Sequence, residues 1–225
     1  MVKLSLLFLV LLVTTTYAQI GSDGTGTVNG YYIGPGVDLN GADFSEIDLT
    51  GADLTNANLS TAILYYTYLT GADLTGADLT GANLDSAYLD GADLDGADLT
   101  GSDLTYVTSG NITGIPTLPS GYLMVNGFIV GPGVDLYGAD LSGVDLSGVD
   151  LSNAYITGAN LDGTNLTGAD LTGVTSGNIT GTPTLPSGYL MVNGYIVGPG
   201  VDLYGADLPG VDLSGVDLSN ADLTY

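Results

Sequence analysis

A large apolar residue returns every fifth position over long stretches of this chain. From Leu69 onward the sequence reads TGADL TGADL TGANL DSAYL DGADL DGADL TGSDL, each pentad closing on a residue of the series Leu74, Leu79, Leu84, Leu89, Leu94, Leu99, Leu104. A small residue stands two places before each leucine, and polar or small residues fill the rest. On a helix this spacing would spread the leucines around the cylinder, and on a strand it would send alternate ones to opposite faces. Neither element explains it. A short, regular period predicts an array in which each unit buries its apolar residue against its neighbours.

The pentads fall into three blocks: fourteen over residues 37–106, eight over 134–173 and five over 201–225. Residues 107–133 and 174–200 break the register. Residues 107–154 match 174–221 except at Ile115/Thr182, Phe128/Tyr195 and Ser142/Pro209, so the chain carries a tandem duplication. Each interruption holds Asn-Gly between apolar runs, the strongest short-range hairpin signal. Hairpins are predicted from Tyr122–Val125 and Phe128–Gly131 around Asn126-Gly127, and from Tyr189–Val192 and Tyr195–Gly198 around Asn193-Gly194. An isolated two-stranded hairpin is marginal in water, so one face of each should pack on the array. Residues 19–36 read as a leader and a partial hairpin, with Gln19–Thr27 a flexible stretch and Asn29-Gly30 the turn.

The first residues change the setting. Lys3 followed by the apolar run Leu4–Val13, with Thr16 and Ala18 small enough for a cleavage site, reads as a secretory signal peptide over residues 1–18. The expected location is extracellular, or periplasmic in a bacterium, with no membrane anchor after removal.

Composition narrows the chemistry further. Beyond Lys3 there is no Lys, Arg, His, Cys or Trp, and the formal net charge is -24. Disulfides, Cys/His zinc sites, and His, Cys or Lys catalysis are therefore excluded. The negative field disfavours nucleic acid and anionic membrane as partners and favours cations or basic proteins. Regular leucines argue for order despite the charge.

The motif Ala-Asp/Asn-Leu-x-x, in GADLT, GANLD and NANLS, resembles the pentapeptide-repeat family. That resemblance implies an all-β fold, a right-handed quadrilateral parallel β-helix with one pentad per side and four per coil, here carrying β-hairpin insertions. The central Leu and the Ala two before it would point inward. Five pentads make barely more than one coil, so one continuous β-helix with protruding hairpins is favoured over three separate short ones.

Four pentads per coil place residues twenty apart in one outward column. Asp53, Asp73 and Asp93 then stack, with Asp95 beside the last rung. Carboxylates about 5 Å apart repel by about 0.8 kcal/mol per pair in water. Asp73, Asp93 and Asp95 are the candidate Ca2+ ligands, the sole cofactor the chain suggests. The alternative is a solvated face whose Asp side chains bond nearby backbone. Tyr68 and Tyr88 should stack, and with Tyr65 and Tyr66 form an exposed aromatic patch suited to a protein or glycan partner, or simply to cross-rung packing. Asn111 and Asn178 are the better-placed glycosylation sequons if the source is eukaryotic, being expected in loops.

The function expected is a secreted, non-enzymatic scaffold, structural or binding, with an acidic surface. Three alternatives remain open. The resemblance implies an acidic DNA mimic that inhibits a DNA-binding enzyme. An open last coil would present unpaired edges for end-to-end self-association. Thr or Ser after many of the leucines, as at Thr50, Thr55, Ser60, Thr70, Thr75 and Thr80, suggests ice binding, though no face has an unbroken double Thr row.

Overall fold

The computed structural model describes residues 19–224, so the predicted signal peptide lies outside the described residues. The pentads wind into a right-handed quadrilateral parallel β-helix. Each side is a pair of near-extended residues held by a single parallel bridge to the next coil, as in Asp38↔Asn58↔Asp78↔Asp98 on the first face. Each corner is a tight turn. At the first, the Ala42 N–H donates to the Leu39 carbonyl (3.0 Å), and Gly41 takes φ 65 at the third position of the turn. That left-handed conformation is open to glycine without a Cβ penalty and explains the Gly before most Ala residues.

Between coils the backbone is paired throughout the regular region. The Leu39 N–H donates to the Asn58 carbonyl (2.7 Å), Gly41 to Ser60 (3.0 Å), and Ile63 back to Ala42 (2.9 Å). Inside, Leu49, Leu54, Leu59, Leu64 and Leu69 are wholly buried, with Ala52, Ala62 and Ala72 between them. Leucines of this kind contribute about 1.5–3 kcal/mol each by burial. Where Thr67 and Thr164 replace the small inward residue, their buried hydroxyls donate to the carbonyls of Phe44 (2.8 Å) and Leu141 (2.7 Å).

Gln19–Thr27 is not a flexible leader, while the partial hairpin around Asn29-Gly30 is formed. Strands β1 (Gln19–Ile20), β2 (Gly26–Val28) and β3 (Tyr31–Ile33) form an antiparallel sheet in that order. The Gly24 carbonyl accepts the Asp53 N–H (2.7 Å), the position that a preceding coil would occupy. Val28 and Ile33 are fully buried over the first coil. The segment closes an end of the solenoid, so its composition of small polar residues serves turns rather than mobility.

The interruptions begin later than the break in register suggests. Coil sides continue through Thr108, Thr113 and Thr117, paired with Tyr88, Asp93 and Asp98. The side due next, on the second face of Asp43, Ile63, Asn83 and Asp103, is then replaced by a hairpin of β4 (Leu123–Val125) and β5 (Phe128–Val130), in register Leu123↔Val130. The second copy is β6 (Leu190–Val192) with β7 (Tyr195–Val197). These hairpins do not protrude. Consecutive residues Ile129 and Val130 are both fully buried, so both faces of β5 are covered. The turn wedges between blocks: the Gly127 carbonyl accepts the Ile112 N–H (3.0 Å), while Asn126 Nδ2 donates to the Asp140 carbonyl (3.4 Å). Apolar residues on both strand faces require this burial.

One face alone runs unbroken past both wedges. The third face carries Asp48, Tyr68, Tyr88, Thr108, Asp135, Tyr155, Thr175, Asp202 and Asp222 in one bridged column. The blocks are thus one stack along this face. On the fourth face, Thr113 and Asp140 lie on opposite sides of the hairpin turn.

Candidate binding face

Most outward aspartates have a local task. The Asp48 carboxylate accepts the Thr50 N–H (2.9 Å), Asp73 accepts Thr75 (3.0 Å) and Asp98 accepts Thr100 (2.9 Å). Bonds from the hydroxyls of Ser45, Thr50, Thr75 and Thr100, followed by those from the same residues' N–H groups, hold Asp43, Asp48, Asp73 and Asp98 below the usual carboxylate value. The spacing Asp-Leu-Thr is therefore a turn-fixing device repeated along the array.

Asp73 and Asp93 do lie on adjacent rungs. Asp93 accepts the Asp95 N–H (3.0 Å), whereas the Asp95 carboxylate turns to the Ile115 N–H (3.2 Å). Among the described residues, no group of three or more acidic side chains is gathered to hold a metal ion. Stacking on one face supplies carboxylates in a line, while a Ca2+ site needs them converging. Asn111 and Asn178 are exposed, but each sits at a corner, with φ 53 and 51, rather than in an open loop. The Thr113 and Thr180 of their sequons are bridged to Asp93 and Asn160.

The four tyrosines come together. Tyr68 and Tyr88 stack with ring centroids 4.7 Å apart and planes 3° from parallel. Tyr65 and Tyr66 meet edge to face at 4.6 Å. Tyr65, Tyr66 and Tyr68 are exposed and Tyr88 half-buried. Desolvation raises the Tyr65 phenol above its ordinary value, followed by Tyr66 and by the charges of Asp85 and Glu46.

Tyr66 sits in a corner of the coil. Glu46, Tyr66, Ser86 and Tyr106 occupy one corner of four successive coils with φ 61, 52, 59 and 53. The same corner then takes Gly133, and the next one around the coil uses Gly51, Gly71 and Gly91. Left-handed backbone costs about 1–2 kcal/mol per residue with a side chain. Two open recesses flank Tyr66. One, about 340 Å³, is lined by Glu46, Tyr66 and Tyr68. The other, about 360 Å³, is lined by Tyr66, Ser86, Tyr88, Tyr106, Thr108 and Asp135.

Glu46, Ser86, Tyr106, Thr108 and Asp135 were not singled out by the sequence reading. A column of corner positions lacking glycine was visible for Glu46, Ser86 and Tyr106. Asp135 was hidden, because its place under Thr108 depends on the hairpin being spliced into the coil.

A solenoid with an aliphatic interior, self-bonded aspartates outside and one aromatic corner defines the class: a repeat β-helix that presents surfaces. The pentapeptide-repeat model matches residues 36–65, 67–105, 135–173 and 199–225, and the chain belongs to that family. No curated protein matches the sequence significantly. Among solved structures it is similar to HetL, a pentapeptide repeat protein involved in heterocyst differentiation regulation in the cyanobacterium Nostoc sp. strain PCC 7120, with 28% identity over 83% of this chain and 70% of that one and a TM-score of 0.34. It is also similar to QnrB1, a plasmid-mediated fluoroquinolone resistance protein (20% identity, 84% and 90% coverage, TM-score 0.37). A third is a pentapeptide repeat protein of the Arabidopsis thaliana thylakoid lumen (23% identity, 65% and 66% coverage, TM-score 0.14).

Proposed function

We propose that the chain is a secreted, non-enzymatic scaffold whose third face is its recognition surface for a protein partner. The observation that carries this reading is the clustering of Tyr65, Tyr66, Tyr68, Tyr88 and Tyr106 at one edge of the unbroken face. Exposed aromatics supply large, rigid contact area at low entropic loss. Export is supported by the Lys3 and Leu4–Val13 pattern. The absence of His, Cys and Lys from residues 19–225 leaves only carboxylates and hydroxyls for chemistry.

Oxidative footprinting in the native extracellular fluid tests the reading. Tyr66 and Tyr106 should be protected relative to the isolated protein, while the exposed Tyr204 reacts equally in both. Equal oxidation of all three in both settings overturns it.

A further inference from the structure

We propose that the corner of Glu46, Tyr66 and Tyr106 is a docking site for a basic segment of a partner protein, each of its two recesses taking one guanidinium or ammonium group. The inference rests on the proposed function and names the chemistry of the partner.

Three independent observations converge on it. The first is the aromatic geometry. Each ring of the Tyr68–Tyr88 stack spends one face on the other, and each lines a different recess. Tyr66 walls both recesses. A cation placed against a tyrosine ring is drawn to its negative quadrupole. The second is charge. One recess carries Glu46 and the other Asp135, and no residue after Lys3 can neutralise either from within the chain. A neutral sugar would use the rings and leave the field unanswered, whereas a basic side chain uses both.

The third is the backbone. Glu46, Tyr66, Ser86 and Tyr106 hold left-handed φ on four successive coils of one corner, whereas elsewhere the corners use glycine or, at Asn56, Asn111, Asn153, Asn178 and Asn220, the asparagine that tolerates this conformation, with Thr61 the isolated exception. Four consecutive rungs without Gly or Asn, both available throughout the repeat, point to a role for the side chains.

Spacing sets the ligand's register. The recesses are about two rungs apart, roughly 10 Å. A peptide in the extended polyproline II conformation covers that in three residues at about 3.1 Å each, and its threefold repeat returns residues three apart to the same side. The matching ligand is an extended segment with basic residues three apart.

The test uses a capped Arg-Gly-Gly-Arg peptide, read by tyrosine fluorescence and calorimetry at fixed salt. The intact protein should bind it saturably. Tyr66→Gly should weaken binding by about tenfold or more. That variant installs the residue the array prefers, so its melting temperature should not fall. Glu46→Gln and Asp135→Asn should each weaken binding by about three- to tenfold. Asp145→Asn, an equal charge change on the first face, should not. Overturning results are unaltered binding by Tyr66→Gly, an equal loss from Asp145→Asn, or equal affinity for the neutral citrulline peptide. So is binding of a neutral glucan oligosaccharide at this corner with none of the arginine peptide. Protection of Tyr66 in the footprint without arginine binding would sink this inference and leave the scaffold reading standing.

Discussion

Exchanging corner residues separates the backbone's demand from that of the side chain. Gly91 sits at φ 67, and a Cβ built there meets no atom within 4 Å. Gly91→Ala therefore adds no steric clash, only the left-handed backbone penalty of about 1–2 kcal/mol. Reduced freedom of the unfolded chain offsets about 0.4–1 kcal/mol of that. The net expectation is destabilisation by about 1 kcal/mol, or about 2–4 °C in melting temperature for a chain of this size. Gly114→Ala is the contrast. It has φ 86, and its Cβ would overlap the Asp95 backbone, so its loss should exceed about 3 kcal/mol. Tyr106→Gly runs the exchange backwards at an exposed side chain and should raise stability by about 1 kcal/mol. Calorimetric melts of the three variants at one pH and salt concentration check the series. Equal losses for Gly91→Ala and Gly114→Ala, or a clear loss for Tyr106→Gly, would refute the account of the corner.

Other consequences follow from the same structure. Leu79→Ala, in a nearly inaccessible layer, should cost about 2–5 kcal/mol and lower the urea midpoint; a change under 1 kcal/mol would mean the coil collapses around the gap. The folded-state pKa values of Asp43, Asp48, Asp73 and Asp98 lie below the unfolded value of 3.8, so their stabilisation is present above that pH and lost as pH falls through the lower folded values. Melting temperature should thus drop below about pH 3.8, and a protein that melts no lower at pH 2.5 than at pH 5 would contradict it. At pH 7 added NaCl should raise the melting temperature by screening the net charge of -24. CaCl2 and MgCl2 at equal ionic strength should shift the melt equally, since Asp73, Asp93 and Asp95 do not converge; a saturable shift specific to Ca2+ would show otherwise.

The period of five was legible in the sequence itself, because each pentad repeats the same local conflict and resolves it the same way, and the inward Leu and Ala and the twenty-residue columns followed from the family resemblance that the repeated motif carries. Tyr68 over Tyr88 and Asp73 over Asp93 follow once the family resemblance supplies four pentads per coil. The hairpin turn at Asn126-Gly127 was legible directly, being local chemistry. What the tertiary structure decided was everything that depends on where chain segments meet. The coil that contains a hairpin joins Thr108 to Asp135 rather than to a residue twenty further on. Counting therefore fails there, and Asp135 enters the Tyr66–Tyr106 recess unannounced. Likewise Gly24 replaces a missing coil above Asp53, a contact that small polar residues do not advertise. Carboxylate direction was also beyond the pattern: a column fixes which aspartates are neighbours, but the nearest N–H decides which way each one points. In a solenoid, short-range order is written in the repeat, and the exceptional sites arise where the repeat is interrupted or its corner residue replaced.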